Sequence, residues 1–287
     1  MYNNLKLCVL IKKMFSMYRL RNKMSFEEIR FAVPSLNRAK ELGEKTLATL
    51  IHHKIPVSQV DIFVANQEQY DLYKSFYPDY NIVIGVKGMK EIRMFYLLDY
   101  YKEGQKIVSL DDDIEYVKMK NPREWEESCF EEGGCPDLIA EIKLAFNECD
   151  KSGRHLWGIY PVDNHFFMKN HISYGFNFII GHFWGIIIKK ELCGLGIDQY
   201  EDYERTIKHY LADGGVVRLN YLCCKTKYIA EGGMGKVRDF ENSIKYLETT
   251  YPNLTGRKIK KTKKDGKLWN PLLRDTRHAV ASKTGGI

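Results

Sequence analysis

The feature that most limits what this chain can fold into is an alternation of short β-rich runs and amphipathic stretches from residue 29 to residue 110. It ends directly on three consecutive aspartates. Residues 29–33 make a compact apolar strand closed by Pro34. Ala39, Leu42, Leu47, Leu50 and Ile51 then recur at helical spacing, with Ser35 or Asn37 available as a cap. Residues 60–65 read as a second strand, followed by a tyrosine-rich helix through Tyr70, Tyr73 and Phe76. Residues 81–84 form a third strand, Gly85 and Gly88 lead into a helix over 90–101, and residues 106–110 form a fourth strand. The order β-α-β-α-β-α-β predicts an α/β fold with a mostly parallel, Rossmann-like central sheet flanked by helices.

After residue 114 the rhythm changes. The pattern predicts a helix over 136–149, a strand over 156–160, a buried strand pair or one long bent strand over 176–188, a helix over 200–211, a strand over 216–223 and a helix over 240–251. No internal repeat and no Pro/Gly/Ser-rich linker divides the chain. One domain over 25–256 is expected, with a basic extension (1–24) before it and a basic segment (257–287) after it.

Charge is distributed unevenly. Residues 1–24 hold six Lys/Arg and no Asp/Glu, and residues 257–287 hold ten against two, although the whole chain is only +7. The body between them is therefore acidic. Basic ends on an acidic body suit a polyanionic partner, or equally a solubilising tail. The apolar core of the first segment, residues 7–11, is shorter than the ~7–15 residues of a signal peptide, and Met24 precedes the first strand as an alternative start. The best membrane candidate, residues 176–188, is interrupted by Asn177, His182 and Trp184, so no membrane span is expected. The seven cysteines show no CxxC spacing and read as reduced thiols rather than a disulfide framework or zinc site.

Open parallel sheets bind ligands beyond the carboxyl ends of their strands. Asp111, Asp112 and Asp113 follow the fourth strand there, and three adjacent carboxylates at a strand end repel one another. A divalent cation relieves that repulsion, and Mg²⁺ or Mn²⁺ prefers one or two carboxylates together with the oxygens of a diphosphate. D-x-D spacing lets Asp111 and Asp113 point the same way. The bland alternative is a solvated loop or helix cap.

Pro34-Ser35-Leu36-Asn37-Arg38 after the first strand, Gly85-Val86-Lys87-Gly88 before the third helix, Arg93 within that helix, and Ser109-Leu110-Asp111-Asp112-Asp113 together resemble a GT-A glycosyltransferase, the nucleotide-diphospho-sugar transferase fold. The segments PSLNRAKELGEKTLATL, VDIFVANQEQY, IVIGVKG, SLDDDI and WNPLLR are most similar to the TET-associated DNA glycosyltransferases of phages and large viruses. The resemblance covers about residues 29–250. It implies that Pro34, Ser35, Asn37, Arg38, Lys87, Arg93, Asp111 and Asp112 bind the nucleotide and that Asp111 and Asp113 hold Mn²⁺ or Mg²⁺. The donor would be UDP-glucose. The acceptor would be double-stranded DNA carrying a modified cytosine, in the cytoplasm of an infected host cell, with no membrane and no obligate protein partner. A glycan or protein acceptor is the alternative, and a non-catalytic nucleotide- or DNA-binding module a further one.

Glu201-Asp202-Tyr203-Glu204 resembles the family's E-D motif near the acceptor, which makes Asp202 the candidate base for an inverting transfer. Glu201 and Glu204 compete with it, and the acidic run could instead open a helix, where carboxylates complement the dipole. Trp157, Tyr160, Asp163 and Asn164 suit a sugar ring or flipped base, or else a core strand and its turn. His182 and Trp184 read as core, with the histidine's hydrogen bonds satisfied. Gly232-Gly233-Met234-Gly235-Lys236 lacks the P-loop pattern and is weak on its own. Lys258, Lys260, Lys261, Lys263 and Lys264 are the candidate contacts to the DNA backbone.

Overall fold

The computed structural model describes residues 25–120, 134–226, 240–261 and 267–277. Residues 1–24, Gly232–Lys236, Lys263 and Lys264 lie outside the described residues.

Four strands appear where the apolar runs place them: β1 (Arg30–Pro34), β2 (Val60–Val64), β3 (Asn81–Ile84) and β4 (Lys106–Leu110). Three helices intervene. The first, α1, joins Ala39–Leu42, a π-helical turn Gly43–Leu47 and Ala48–His52. The second, α2, is Gln67–Phe76, and α3 is Met89–Phe95 continued by the π turn Tyr96–Tyr100. Neither Ser35 nor Asn37 caps α1. Its N-cap is Arg38, with no side-chain cap bond, because Ser35 and Asn37 are engaged elsewhere.

The second half supplies β5 (Ile114–Met119), α4 (Leu138–Ser152), β6 (Leu156–Ile159), β7 (Ile172–Ser173), β8 (Phe183–Ile187), α5 (Lys190–Cys193), α6 (Glu201–Asp213), β9 (Val217–Leu219), β10 (Leu222–Thr226), α7 (Phe240–Thr250), β11 (Thr255–Lys261) and β12 (Lys267–Leu273). Three expectations change here. Only Phe183–Ile187 of the apolar run 176–188 is a strand; the residues before it are irregular. The expected strand 216–223 breaks at Asn220 and Tyr221 into β9 and β10, which join different sheets. The expected boundary between residues 256 and 257 falls inside β11, in a β11–β12 hairpin that starts at Thr255 and packs on α7.

The main sheet has eight strands in the order β3-β2-β1-β4-β8-β6-β9-β7. β3, β2, β1 and β4 are mutually parallel, β8 is antiparallel to both its neighbours, β6 and β9 run parallel to each other, and the short β7 is antiparallel at the edge. This is an α/β architecture with a large, mostly parallel sheet flanked by helices. Period-2 alternation along the strands sorts side chains onto two faces. Phe31 and Val33 join Leu42, Leu50, Tyr73, Ile142, Phe146 and Trp157 on the face covered by α1, α2 and α4. Ala32, Phe63 and Ile107 join Tyr96, Leu97, Trp184 and Ile186 on the face covered by α3. A third cluster, Ile197, Ile207, Leu247 and Leu254, fixes α6 and α7 to the hairpin. Among the described residues no helix is long and apolar enough to cross a membrane.

Candidate active site

From β1 the chain steps outward to β2 and β3, then returns to β4 on the other side of β1. A parallel sheet opens a crevice at such a reversal, beyond the carboxyl ends of the two strands. The loop after β1 and the aspartates after β4 occupy that position.

The acidic turn is pinned through its backbone. The Asp111 amide donates to the His182 carbonyl, and Thr46 Oγ1 donates to the Asp111 carbonyl (2.7 Å) while accepting from the Ile114 amide (2.9 Å). The side chains then diverge. Asp112 turns back towards the β1 loop, where Arg38 Nη1 (2.6 Å) and Ser35 Oγ (2.6 Å) both donate to it. Asp113 meets Arg38 Nη2 at 3.4 Å, and Asp111 accepts from Arg93 Nη2 at 2.7 Å. D-x-D spacing led to Asp111 and Asp113 being paired against Asp112, but Arg38 groups Asp112 with Asp113 and leaves Asp111 to Arg93. The chain's own guanidinium groups thus relieve part of the repulsion. Part persists: burial, which outweighs the Ser35 and Arg38 contacts, pushes Asp112 up to about 7. Burial and the neighbouring Asp111 also raise Asp113.

The β1 loop is held from α2. Gln69 exchanges two hydrogen bonds with Asn37, donating to its side-chain oxygen (2.7 Å) and accepting from its amide (2.8 Å), and this fixes Asn37 at φ 57°. Tyr73 accepts from the Arg38 amide (3.0 Å) and bonds Ser35 Oγ (2.7 Å). Pro34 is buried as the last residue of β1, paired with Phe63. Lys87 lies exposed past the end of β3 with no ion pair to any described residue. Of the proposed donor-side residues, Lys87 alone presents a cation that the fold has not already committed.

Arg93 is different from what its position in the sequence suggested. It is 3% exposed, pairs with Glu201 through Nη1 and gives Nη2 to both Asp111 and the Gly181 carbonyl (2.8 Å). A side chain so enclosed is held by the protein's own acids, which gives Arg93 a positioning role beside the expected nucleotide contact. It joins the acidic turn to the start of α6. Arg205, one helical turn on, donates to Glu201 Oε2 (2.8 Å) and lies 3.8 Å from the centre of the Trp184 ring. The Trp184 Nε1 donates to the Gly181 carbonyl (3.0 Å), and the Gly181 amide donates to Asp202 Oδ2 (3.2 Å). A Cβ on Gly181 would lie 3.1 Å from both Arg93 Nη1 and Glu201 Oε1, a tight contact that these side chains would have to give way to admit.

This geometry separates the three acids of the E-D run. Glu201 is neutralised by two arginines, and Glu204 is consumed by the Gly196 amide and the hydroxyls of Tyr246 and Tyr251. Asp202 has no ion pair among the described residues. It accepts only backbone amides, from Gly181 and its own neighbour Tyr203, and burial raises its pKa despite the nearby Arg205 and Arg93.

The four expected acceptor residues are not brought together. Trp157 is fully buried between Phe146 and Phe183 and directly beneath Gly185, where any Cβ would strike its indole. A ring with no free face cannot stack on a sugar, and that role is withdrawn. Tyr160 lies beneath the Arg218 guanidinium. Asp163 is held by Lys118 (2.9 Å), and Asn164 Oδ1 accepts the Phe166 amide (3.0 Å). These two polar groups are bonded within and beneath their own loop. His182, expected to be a satisfied core residue, has a buried Nε2 with no partner among the described residues, and burial lowers its pKa to about 4. Gly181, Trp184 and Arg205 went unnoticed as site residues. The i,i+4 spacing of Glu201 and Arg205 was the only local signal pointing to any of them.

Among the described residues no group of three or more His, Cys, Asp or Glu side chains is arranged to hold a metal. Asp111 and Asp113, two hard carboxylates on one turn, fit a Mg²⁺ or Mn²⁺ whose remaining ligands are phosphate oxygens and water. They do not fit a zinc site.

No family model matches this chain, and no curated protein matches it. Solved structures are similar at low level. Glucosyl-3-phosphoglycerate synthase from Mycobacterium tuberculosis, solved with Mn²⁺, uridine diphosphate and glucosyl-3-phosphoglycerate, has a TM-score of 0.47 at 9% identity over 89% of this chain and 93% of that one. A protein from Desulfovibrio desulfuricans G20, described as a nucleotide-diphospho-sugar transferase, gives 0.39 at 11% identity over 68% and 80%. The 4-diphosphocytidyl-2C-methyl-D-erythritol synthase of Anaerococcus prevotii gives 0.39 at 10% identity over 77% and 96%. Similarities of this size assign neither family nor substrate, so the functional argument rests on the site.

Proposed function

We propose that this chain is a metal-dependent GT-A glycosyltransferase. It moves a hexose, glucose in the first instance, from a UDP-sugar to hydroxymethylated or already glucosylated hydroxymethylcytosine in DNA, as in the enzymes of T-even phages. One observation carries the reading. Arg93 ties the acidic turn to the carbonyl of Gly181, and the amide of that same residue donates to the half-buried Asp202, which has no ion pair among the described residues.

Asp111 and Asp113 would hold Mn²⁺ or Mg²⁺ against the donor diphosphate. When bound, the ion neutralises charge on the departing UDP, where stabilisation raises the rate. Lys87 supplies a second cation from the end of β3, while Pro34, Ser35, Asn37 and Asp112 shape the wall facing the nucleotide. In an inverting step the acceptor oxygen bonds to the anomeric carbon as the carbon–phosphate-oxygen bond breaks, through an oxocarbenium-like transition state. Asp202 accepts the acceptor's proton, and its raised pKa suits it to that role.

The acceptor enters from the side of the β11–β12 hairpin. Tyr200, the left-handed residue (φ 62°) that opens α6 just before Asp202, reaches Asn270 of β12 through its hydroxyl at 3.4 Å. Lys258 is exposed on the same hairpin, whose β11 also carries Lys260 and Lys261. With Lys263 and Lys264, next in the sequence and outside the described residues, they form the proposed phosphate-contacting strip.

The test is to incubate the protein and Mn²⁺ with several UDP-sugars and with hydroxymethylated DNA, pre-glucosylated DNA or a neutral oligosaccharide. Mass spectrometry of the digested nucleosides should show one added hexose on DNA. Transfer to the oligosaccharide alone would replace the DNA reading with a glycan acceptor.

A further inference from the structure

The loop joining β6 to β7, residues 160–171, is firmly built yet holds its largest apolar side chains in solvent. Lys118 Nζ grips both oxygens of Asp163 (2.9 and 3.1 Å), and Lys120 Nζ donates to the carbonyls of His165 (3.0 Å) and Met168 (2.8 Å). Met168 is buried as an anchor, and the Lys169 amide donates to the Asn220 carbonyl (3.0 Å). On this frame Phe166 is 78% exposed, Phe167 54% and Val162 53%, and the two rings stand edge to face at 5.1 Å and 88°. Burying a phenylalanine ordinarily stabilises a fold, so a well-fastened loop that leaves two exposed points to a partner.

The position and chemistry of the loop narrow that partner. β6 lies two strands from β4, so the loop leaves the sheet edge about 10 Å from the acidic turn, comparable to the width of a major groove. β6 runs parallel to β9 and antiparallel to β8, as β4 does to β8, so the loop after β6 and the turn after β4 leave the same end of the sheet. With the loop's only carboxylate, Asp163, neutralised by Lys118, the surroundings keep the charges of Lys120 beneath the loop and of exposed Lys169 on it. A sugar platform needs an open ring face beside free hydroxyl-binding groups. Here the rings stand at right angles, and Asp163 and Asn164 are spent on the loop itself.

We infer that Phe166, backed by Phe167 and Val162, is a wedge that enters the base stack of duplex DNA beside the acceptor nucleotide and fills the gap left as that nucleotide swings out to the acidic turn. The inference rests on the proposed DNA acceptor. Enzymes acting on a base inside a duplex must unstack it, and apolar side chains between base steps pay for part of that opening. The basic collar would receive the flanking phosphates.

The full-length protein, Mn²⁺ and UDP-glucose are mixed with a duplex bearing one hydroxymethylcytosine next to 2-aminopurine, whose fluorescence rises on unstacking. Wild type should raise the fluorescence, whereas Phe166→Ala and the double variant with Phe167→Ala should not. Turnover of the variants on paired duplex should fall about tenfold, and an abasic position opposite the acceptor should restore most of it by making extrusion easy. Hydrolysis of UDP-glucose without DNA reports whether each variant is folded. Equal turnover of wild type and variants on paired duplex, or a loss that the abasic duplex does not restore, overturns the wedge. Phe166-dependent sedimentation with anionic phosphatidylserine vesicles but no fluorescence change also overturns it and assigns the loop to a lipid surface. If wild type hydrolyses UDP-glucose yet transfers to no DNA, the acceptor reading falls and takes the wedge with it.

Discussion

The two halves of the molecule reach the same sheet edge by different routes. From β1 to β4 strand and helix alternate, and the donor-side residues sit in the turns that leave the strands. Ser35 and Arg38 leave β1, Lys87 leaves β3 and the aspartates leave β4. Beyond Asp113 the parts come from far apart in the chain. Gly181 and Trp184 precede or lie in β8, Glu201 and Asp202 open α6, and the hairpin that abuts them begins only at Thr255. The first half presents charge on a contiguous scaffold. The second assembles a buried network in which Arg93, a residue of the first half, is the shared member.

That contrast predicts how each half fails. Asp113→Asn should abolish sugar transfer while leaving DNA retention on a filter intact; retained turnover would remove the donor half from the reaction. Asp202→Asn should lower kcat by about 10²–10⁴-fold with little change in donor affinity. Because burial raises Asp202, wild-type turnover should decline as pH falls through a pKa above the usual carboxylate range, and the variant should lack that limb. A collapse of donor affinity instead would place Asp202 on the donor side.

The remaining tests concern stability and binding. Trp157→Ala should cost about 3–5 kcal/mol in denaturant unfolding without a selective change in acceptor KM, as befits a core ring. His209 is buried, uses Nδ1 towards the Arg205 carbonyl (2.9 Å), and burial lowers its pKa to about 4. A depressed pKa gives stability that is complete above the unfolded value of about 6.5 and is lost as pH falls towards about 4. Between pH 6.5 and pH 5 the loss should be on the order of 2 kcal/mol, and His209→Asn should flatten it. Lys258→Glu should change least, lowering the slope of log affinity for DNA against log salt by about one. An unchanged slope would leave the hairpin without a DNA contact.

How much of this was legible in the sequence follows the same division. The strands Asn81–Ile84 and Lys106–Leu110 lie where the apolar runs place them, because a buried parallel strand is a local pattern bounded by turn residues. The run 176–188 misled because hydrophobicity reports burial, not hydrogen bonding: Ile179 is buried without being in a strand. β5 and β10 pair across more than a hundred residues, and no periodicity announces such a partner. Asp111–Asp113 could be singled out because three like charges together are costly wherever they lie. Arg93 stands in the sequence between Ile92 and Met94, but the direction of its guanidinium depends on Glu201 and Gly181, which local spacing cannot reveal.

The central claim is that Asp111 and Asp113 hold a divalent cation together with a nucleotide diphosphate. Mn²⁺ electron paramagnetic resonance, titrated with and without UDP, measures this directly. The account predicts that the free-ion signal falls on adding protein, falls further with UDP, and stays high for Asp113→Asn. An undiminished signal in the presence of protein and UDP, or equal uptake by the variant, would contradict it.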